Sequence, residues 1–288
     1  MVITSKDNET IKKLKKLKDK KYRDQENCYL IEGVKLIKEA IQENAKIKLI
    51  IICDDCKQEN DLDSDIKYEI AKYECISVSE KIFLSLTNVV NPQGILAVIE
   101  REKPKEKIDY NEDLFLILDN LQDPGNMGTI LRTADSLNIK QIILSKDCAD
   151  AYNPKVVRST MGAIFRINII ESENLVKTIK EMKKHKIKVM ATSLDTTKSI
   201  YDVTYEKTAI VIGNEANGVE KEILELADER IKIPMPGKTE SLNASVAAGI
   251  MIYEYVRLKL GGVSGDGAFW QKSSSTIDNH RHNDIIMA

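Results

Sequence analysis

The stretch LFLILDNLQDPGNMGTILRTADSL (114–137) changes its hydrophobic period within a few residues. LFLILD is a continuous apolar run that ends in Asp119, the pattern of a strand buried on both faces. After the turn residues Asp123, Pro124 and Gly125, the apolar positions Ile130, Leu131, Ala134 and Leu137 fall at helical spacing. A both-faces-buried strand running into a helix predicts a parallel sheet covered by helices. Arg132 stands inside that helix, just after Pro124, Gly125, Asn126 and Gly128. An arginine there is either a solvated side chain on an amphipathic helix or a cation placed for chemistry.

The same alternation continues along the chain. Strands are predicted at 114–119, 141–145, 187–193, 208–213 and 230–234. Helices are predicted near 126–137, 154–161, 173–185, 217–227 and 241–259. The implied class is α/β with a mostly parallel sheet, in which ligands gather beyond the carboxyl ends of the strands. Ahead of it, CYLIEG (28–33), IKLIIIC (47–53), CISVS (75–79) and GILAVIE (94–100) read as the strands of a smaller α/β unit. This gives an N-terminal domain over 1–103, a linker over 104–113 containing Pro104, a second domain over 114–260, and a tail over 261–288. The tail lacks any period, and a disordered segment is expected there. Its His280 and His282 make a poor metal motif for the same reason.

The chain of 288 residues is 42% hydrophobic and 31% charged, enough to bury a core. Its net charge of −2 gives no global case for nucleic acid, but the charge is uneven. KKLKKLKDKKYR (12–23) is basic, on a helix whose Ile11, Leu14 and Leu17 form the apolar side. Lys12, Lys13, Lys15, Lys16, Lys20 and Arg23 then form either a phosphate-binding face or a merely solvated one. No apolar run is long enough to cross a bilayer and no signal-peptide core is present, so a cytoplasmic protein is expected. Five scattered cysteines suit reduced thiols. The single pair CDDC (53–56) lacks the second pair or the histidines of a zinc site, and its aspartates disfavour a thiolate.

Three irregular stretches follow three strands: DNLQDPGNMGTILRTA (119–134), IGNEANGVE (212–220) and IPMPGKTESLNASVAAGI (233–250). Each mixes glycine with hydrogen-bonding side chains. Several known motifs fail on them. GKT at 237–239 is no P-loop, because Lys232 stands where the first glycine is required. No GxGxxG follows the first strand. The three loops hold no histidine, which removes most triads and metal sites. Asp119, Asp123 and Glu215 have no kinase or nuclease arrangement around them.

Taken together, NMGTILRTA, IGNEANGV and IPM…SLNASVAAGI, in this order and spacing, resemble the SpoU/TrmH family of RNA 2′-O-ribose methyltransferases over about 114–260. YLIEGVKLIKEA (29–40) looks like that family's substrate-binding domain, which favours ribosomal over transfer RNA. The resemblance implies a trefoil knot in the C-terminal domain, S-adenosylmethionine as methyl donor, no metal, and a homodimer joined near the active sites. It implies a catalytic role for Arg132, as base or as phosphate anchor, and for Asn126, expected to orient Arg132 or the ribose; read from residue type alone, Asn126 is instead a helix N-cap, and the two readings are compatible. Glu215 is expected to orient Arg132 or a substrate hydroxyl. Ser241 is counted with these catalytic residues, its plainer alternative being a cap for the last helix, and Asn243 is expected to face the ribose or Arg132. Gly213, Ile233, Leu242, Thr192 and Ser193 are expected to hold the cofactor. Val246, Ile250 and Tyr253 are left to the core or to a dimer contact. A transfer-RNA methyltransferase and a non-catalytic RNA-binding protein on the same fold are the competing readings.

Overall fold

The computed structural model describes residues 2–55, 64–101 and 108–261. The tail after 261, Cys56 and the first part of the expected linker lie outside the described residues. Two sheets organise the chain. The first contains β1 (Val2–Ile3), β2 (Cys28–Glu32), β3 (Ile47–Cys53), β4 (Cys75–Val78) and β5 (Ile95–Glu100), in the order β1-β4-β3-β5-β2. It is mixed: β5 runs antiparallel to both β2 and β3, while β1, β3 and β4 are parallel. Its helices are α1 (Glu9–Lys16), α2 (Lys20–Glu26), α3 (Val34–Gln42), α4 (Ser64–Ile70) and α5 (Glu80–Leu86).

The second sheet is wholly parallel. Its strands are β6 (Leu114–Leu118), β7 (Gln141–Ser145), β8 (Asn168–Ser172), β9 (Lys188–Thr192), β10 (Thr208–Ile212) and β11 (Glu229–Ile231), in the order β11-β9-β10-β6-β7-β8. The helices are α6 (Pro124–Ser136), α7 (Pro154–Ser159), α8 (Leu175–Lys184), α9 (Lys221–Leu226) and α10 (Ala244–Gly261). The chain builds β6, β7 and β8 outward, then crosses to the far side for β9 and inserts β10 against β6. The order therefore reverses beside β6 and β10, and the loops after these strands open at the switch point where α/β sheets bind ligands.

Local chemistry sets the element boundaries, and it moves several of those expected. The basic segment is two helices rather than one. Leu17 closes α1, and Asp19 caps α2 by accepting from Lys21 N–H at 2.9 Å. Asp123, not Asn126, caps α6: its carboxylate accepts from Asn126 N–H at 2.8 Å, with Pro124 in the first turn. Strand β8, NIIES, was not expected, because an edge strand with polar ends lacks a continuous apolar run. Ser79 precedes α5 without a side-chain cap bond. Cys28, Cys75 and Cys148 are free thiols, whereas Cys53 is disulfide-bonded, contrary to the expectation of thiols throughout.

Helices α6 and α7 pack at very close range because position 128 is glycine. A Cβ there would stand 2.5 Å from the Ser159 Cβ and 2.9 Å from the Val156 carbonyl oxygen. That closeness carries α7 and the loop before it onto the N-terminal sheet. One continuous core includes Ile31, Leu36 and Ala97 of the first unit with Leu116, Ile130 and Val157 of the second. The Tyr29 and Tyr152 rings lie 5.0 Å apart, and the Arg101 guanidinium covers the Tyr152 ring at 4.3 Å. Arg166 joins Glu39 (2.7 Å) and Glu43 (3.2 Å) of the first unit to Asp135 of α6 (2.9 Å). Residues 108–113, expected as linker, are also held: Asp109 exchanges two 2.8 Å hydrogen bonds with buried Gln141.

Arg23 belongs to this interface and corrects its expected role in binding RNA. It is 2% exposed. Its Nε donates to the Asp150 carboxylate at 3.0 Å, its Nη2 pairs with the same oxygen, and its Nη1 donates to the Leu17 and Lys18 carbonyls. A guanidinium so enclosed cannot reach a phosphate. Arg23→Met is expected to lower the unfolding free energy by about 3–5 kcal/mol, because Asp150 is left as an uncompensated buried charge. Urea titration measures this. The paired variant Arg23→Met/Asp150→Leu should recover most of the loss, and a single-variant loss under about 1 kcal/mol would show that the pair is not structural.

Candidate active site

Asn126 is buried in the first turn of α6, and both ends of its amide are used. Its Nδ2 donates to Glu215 Oε1 at 3.0 Å, and its Oδ1 accepts from Asn243 Nδ2 at 2.9 Å. One side chain thus joins the loop after β6 to the loop after β10 and to the segment before α10. The expected orienting partner, Arg132, takes no part. Glu215 instead accepts from Asn126 and from the backbone N–H groups of Asp123 (3.2 Å) and Gln122 (3.4 Å). Partial burial of the Glu215 carboxyl works against its charge, but those donors outweigh it and hold the group below its ordinary value.

The loop after β10 is closed by Asn214, a residue the sequence reading did not single out. Asn214 and Gly218 exchange two backbone hydrogen bonds of 2.9 Å. The Asn214 Oδ1 accepts from Ala216 N–H (2.9 Å) and Asn217 N–H (3.0 Å), and its Nδ2 donates to the Asn120 carbonyl at 2.8 Å. Gly213 is required by this fold-back, since a Cβ would lie 2.2 Å from Gly218 and Val219 backbone atoms. Asp119 supplies the other stitch by accepting from Glu220 N–H at 2.8 Å. Burial pushes its carboxyl above its ordinary value, and the Glu220 N–H offsets part of that. Asp119, Asp123 and Glu215 are thereby committed to backbone donors.

Asn243, rather than Ser241, caps α10. Its Oδ1 accepts from Ser245 N–H (2.9 Å), Val246 N–H (3.3 Å) and Ser245 Oγ (2.6 Å). This use of Oδ1 leaves Nδ2 for Asn126. Neither Asn243 nor Glu215 hydrogen-bonds to Arg132. Ser241 is exposed and makes no hydrogen bond among the described residues.

Arg132 is exposed on the face of α6 that also carries Gly125 and Thr129, about 9 Å along the axis from Asn126. It makes no hydrogen bond or ion pair among the described residues. A cation with five donors therefore projects beside the stitched loops with nothing protein-borne to hold.

The expected cofactor residues lie at the carboxyl ends of adjacent strands. Thr192 ends β9 opposite Ile231, and Ser193 N–H donates to the Ile231 carbonyl at 3.0 Å. Gly213 follows the neighbouring β10, and Ile233 follows β11. Ile233, Met235 and Leu242 make no backbone hydrogen bond among the described residues, which leaves their N–H and C=O groups free. Leu194 and Leu242 add exposed apolar surface at the same end of the sheet. Free backbone groups beside apolar side chains fit a purine nucleoside, whose edge needs both donors and acceptors and whose faces need cover.

Helix α10 is apolar on two sides. Ala248, Met251 and Ile252 face inward, while Val246, Ile250 and Tyr253 form an exposed stripe, with exposed Leu242 just before the helix. Val246, Ile250 and Tyr253 are thus not core. No helix of the described residues is long and apolar enough to cross a membrane.

Residues 113–253 match the model of the SpoU rRNA Methylase family, and residues 8–97 match an MRM3-like substrate binding domain. The chain is 36% identical over 252 residues to the 23S rRNA (guanosine(2553)-2′-O)-methyltransferase RlmP of Bacillus subtilis, covering 87% of this chain and 97% of that one. It is 31% identical to mitochondrial rRNA methyltransferase 3A of Danio rerio over 81% of this chain and 64% of that one. An AdoMet-bound rRNA methyltransferase of Sinorhizobium meliloti superposes with a TM-score of 0.78 at 30% identity, over 90% of this chain and 98% of that one. The family model over 113–253, the substrate-binding model over 8–97 and relatives matched along most of the chain agree, and the chain belongs to the SpoU rRNA methylase family.

Proposed function

We propose that the protein transfers a methyl group from S-adenosylmethionine to a ribose 2′-hydroxyl of RNA, with 23S ribosomal RNA as substrate. The observation that carries this reading is the Glu215–Asn126–Asn243 chain, which ties three loops together beside an arginine that has no partner among the described residues. The B. subtilis relative, named for a 23S rRNA 2′-O-methylation, supports the substrate. Ile233, Leu242, Thr192, Ser193 and Gly213 are the residues we assign to the cofactor, which supplies a methyl group already activated by a sulfonium charge. The AdoMet-bound S. meliloti structure supports the choice of cofactor.

The chain's own task is then alignment and charge. A guanidinium offers five donors and no acceptor, so Arg132 is an anchor rather than a base. Its fork grips the phosphate beside the target ribose and steadies the charge that grows on the 2′-oxygen. The 2′-hydroxyl proton leaves to that phosphate or to water. Asn126 and Asn243 hold the loops still, so the ribose meets a preset geometry. Exposed Lys12, Lys13, Lys16 and Lys20, with half-buried Lys15, offer phosphate contacts on α1 and α2. The same reading includes a C-terminal segment that closes a trefoil knot as α10 returns to pack on α6, and a homodimer formed through the outer stripe of α10. The domain limits 1–103 and 114–260 are part of it too.

Isothermal calorimetry with S-adenosylmethionine and transfer of labelled methyl to 23S rRNA test the activity. The product nucleoside should carry the label on its ribose; label on a base would refute the reading. Arg132→Ala should lower kcat by about 10²–10³ or more while cofactor affinity is kept, and retained turnover would remove Arg132 from the mechanism. Changing Lys12, Lys13, Lys16 and Lys20 to glutamine should flatten the plot of log affinity against log salt by about 0.7 per lost contact. An unmoved slope would make that surface a solvated face. Ile250→Asp should convert a sedimenting dimer to a monomer; a monomeric wild type would refute the assembly.

A further inference from the structure

A second concave site lies away from the methyl-transfer loops, where the N-terminal unit meets α7. It is a cleft of about 340 Å³, a volume suited to a small organic group. None of the residues lining it belongs to the stretches 119–134, 212–220 or 233–250. Its walls are aliphatic, with Leu36, Leu86 and Leu96 on one side and Val157 on the other. Lys155 and Arg158, both exposed, stand at its rim on α7. A shallower groove continues from it past Lys35 and shares Glu32, Leu36 and Arg158 as lining.

Among the described residues Glu32 is the only carboxylate lining the cleft. It ends β2 and is half-buried. Its two oxygens share one protein hydroxyl, Thr87 Oγ1, at 2.6 and 2.7 Å. The nearest cations do not pair with it: Lys18 Nζ is bound instead to the Thr87 carbonyl at 3.0 Å, and Arg158 makes no ion pair among the described residues. Burial raises the carboxyl above its ordinary value, with the Thr87 hydroxyl, Arg158, Lys18 and the Asn88 backbone N–H offsetting part of the effect. A carboxylate has about four lone-pair sites, so the pair of oxygens keeps acceptor capacity beyond Thr87 and Asn88. The cleft therefore offers two adjacent acceptors between apolar walls, with cations at the mouth.

We propose that this cleft receives an unstacked guanine base of the substrate RNA, its N1–H and N2–H₂ donating to Glu32 and a flanking phosphate resting on Lys155 and Arg158. Guanine alone among the four bases presents two neighbouring donors on its Watson–Crick edge. Adenine, cytosine and uracil each set an acceptor beside the donor, and that acceptor would face a carboxylate lone pair. Unpaired bases splayed from loops are the usual carriers of sequence information in RNA, and apolar walls cover the faces of such a base. The proposal rests on RNA being the substrate.

The test compares wild type, Glu32→Gln and Asn88→Trp in methyl transfer to a 23S rRNA transcript. Glu32→Gln keeps the size and the Thr87 contact but turns one acceptor into a donor. Asn88 is an exposed lining residue, so its replacement by tryptophan fills the cleft without entering the core. Both variants should raise KM for RNA by roughly 5- to 150-fold, the worth of one bidentate base contact, with S-adenosylmethionine affinity and melting temperature unchanged. If Glu32→Gln melts early, Asn88→Trp decides the matter, and an unmoved KM in either folded variant overturns the proposal. Calorimetry with 5′-GMP alone separates the two sources of guanine: tight GMP binding lost in Glu32→Gln, with KM for RNA unmoved, assigns the cleft to a free nucleotide and overturns it. Absence of transfer by the wild type overturns the substrate reading and this proposal with it; transfer with an unmoved KM overturns this proposal alone.

Discussion

The site is organised by the amide of Asn126. An amide carries a donor and an acceptor on one planar group, and here the donor meets Glu215 while the acceptor meets Asn243. These contacts span 89 and 117 residues of sequence. Aspartate would lose the donor and set a second carboxylate against Glu215, and alanine would leave buried polar groups unpaired. The geometry of the loop after β6, the loop after β10 and the start of α10 follows from this one group. It is available because Asp123 takes over the capping of α6.

Much of the catalytic half was legible in the sequence. The continuous apolar runs at Leu114–Leu118 and Thr208–Ile212 mark strands buried on both faces, and both became central strands of the parallel sheet. The three irregular loops were found because glycine and asparagine cluster where apolar periods break. Their wiring was not legible. Which asparagine caps and which reaches across is decided by tertiary distance, so Asn126 and Ser241 were both given caps that belong to Asp123 and Asn243. Asn214 escaped notice because its work is done on its own loop and on the Asn120 carbonyl. Arg23 misled for a related reason. A cation in a lysine-rich run looks exposed until Asp150, far along the chain, is brought beside it.

The two units are joined as firmly as parts of one domain. Their contact combines shared apolar core, the buried Arg23–Asp150 pair and Arg166 among three carboxylates. Burial of two charges costs desolvation, and the geometry recovers it only when each donor is used, as the Leu17 and Lys18 carbonyls allow for Arg23. A reading based on composition alone separates these units at the charged segment before β6. The packing of α7 against β2 joins them elsewhere, through residues with no unusual composition.

Gly128 has a consequence beyond packing. The helix that bears Arg132 and the helix that bears Lys155 and Arg158 are pressed together with no room for a methyl group between them. The backbones that carry the two sets of cations therefore meet at one close crossing, so the placement of Arg132 is tied to that of Lys155 and Arg158. A larger residue at position 128 would therefore move two sets of cations at once, although it touches neither of them.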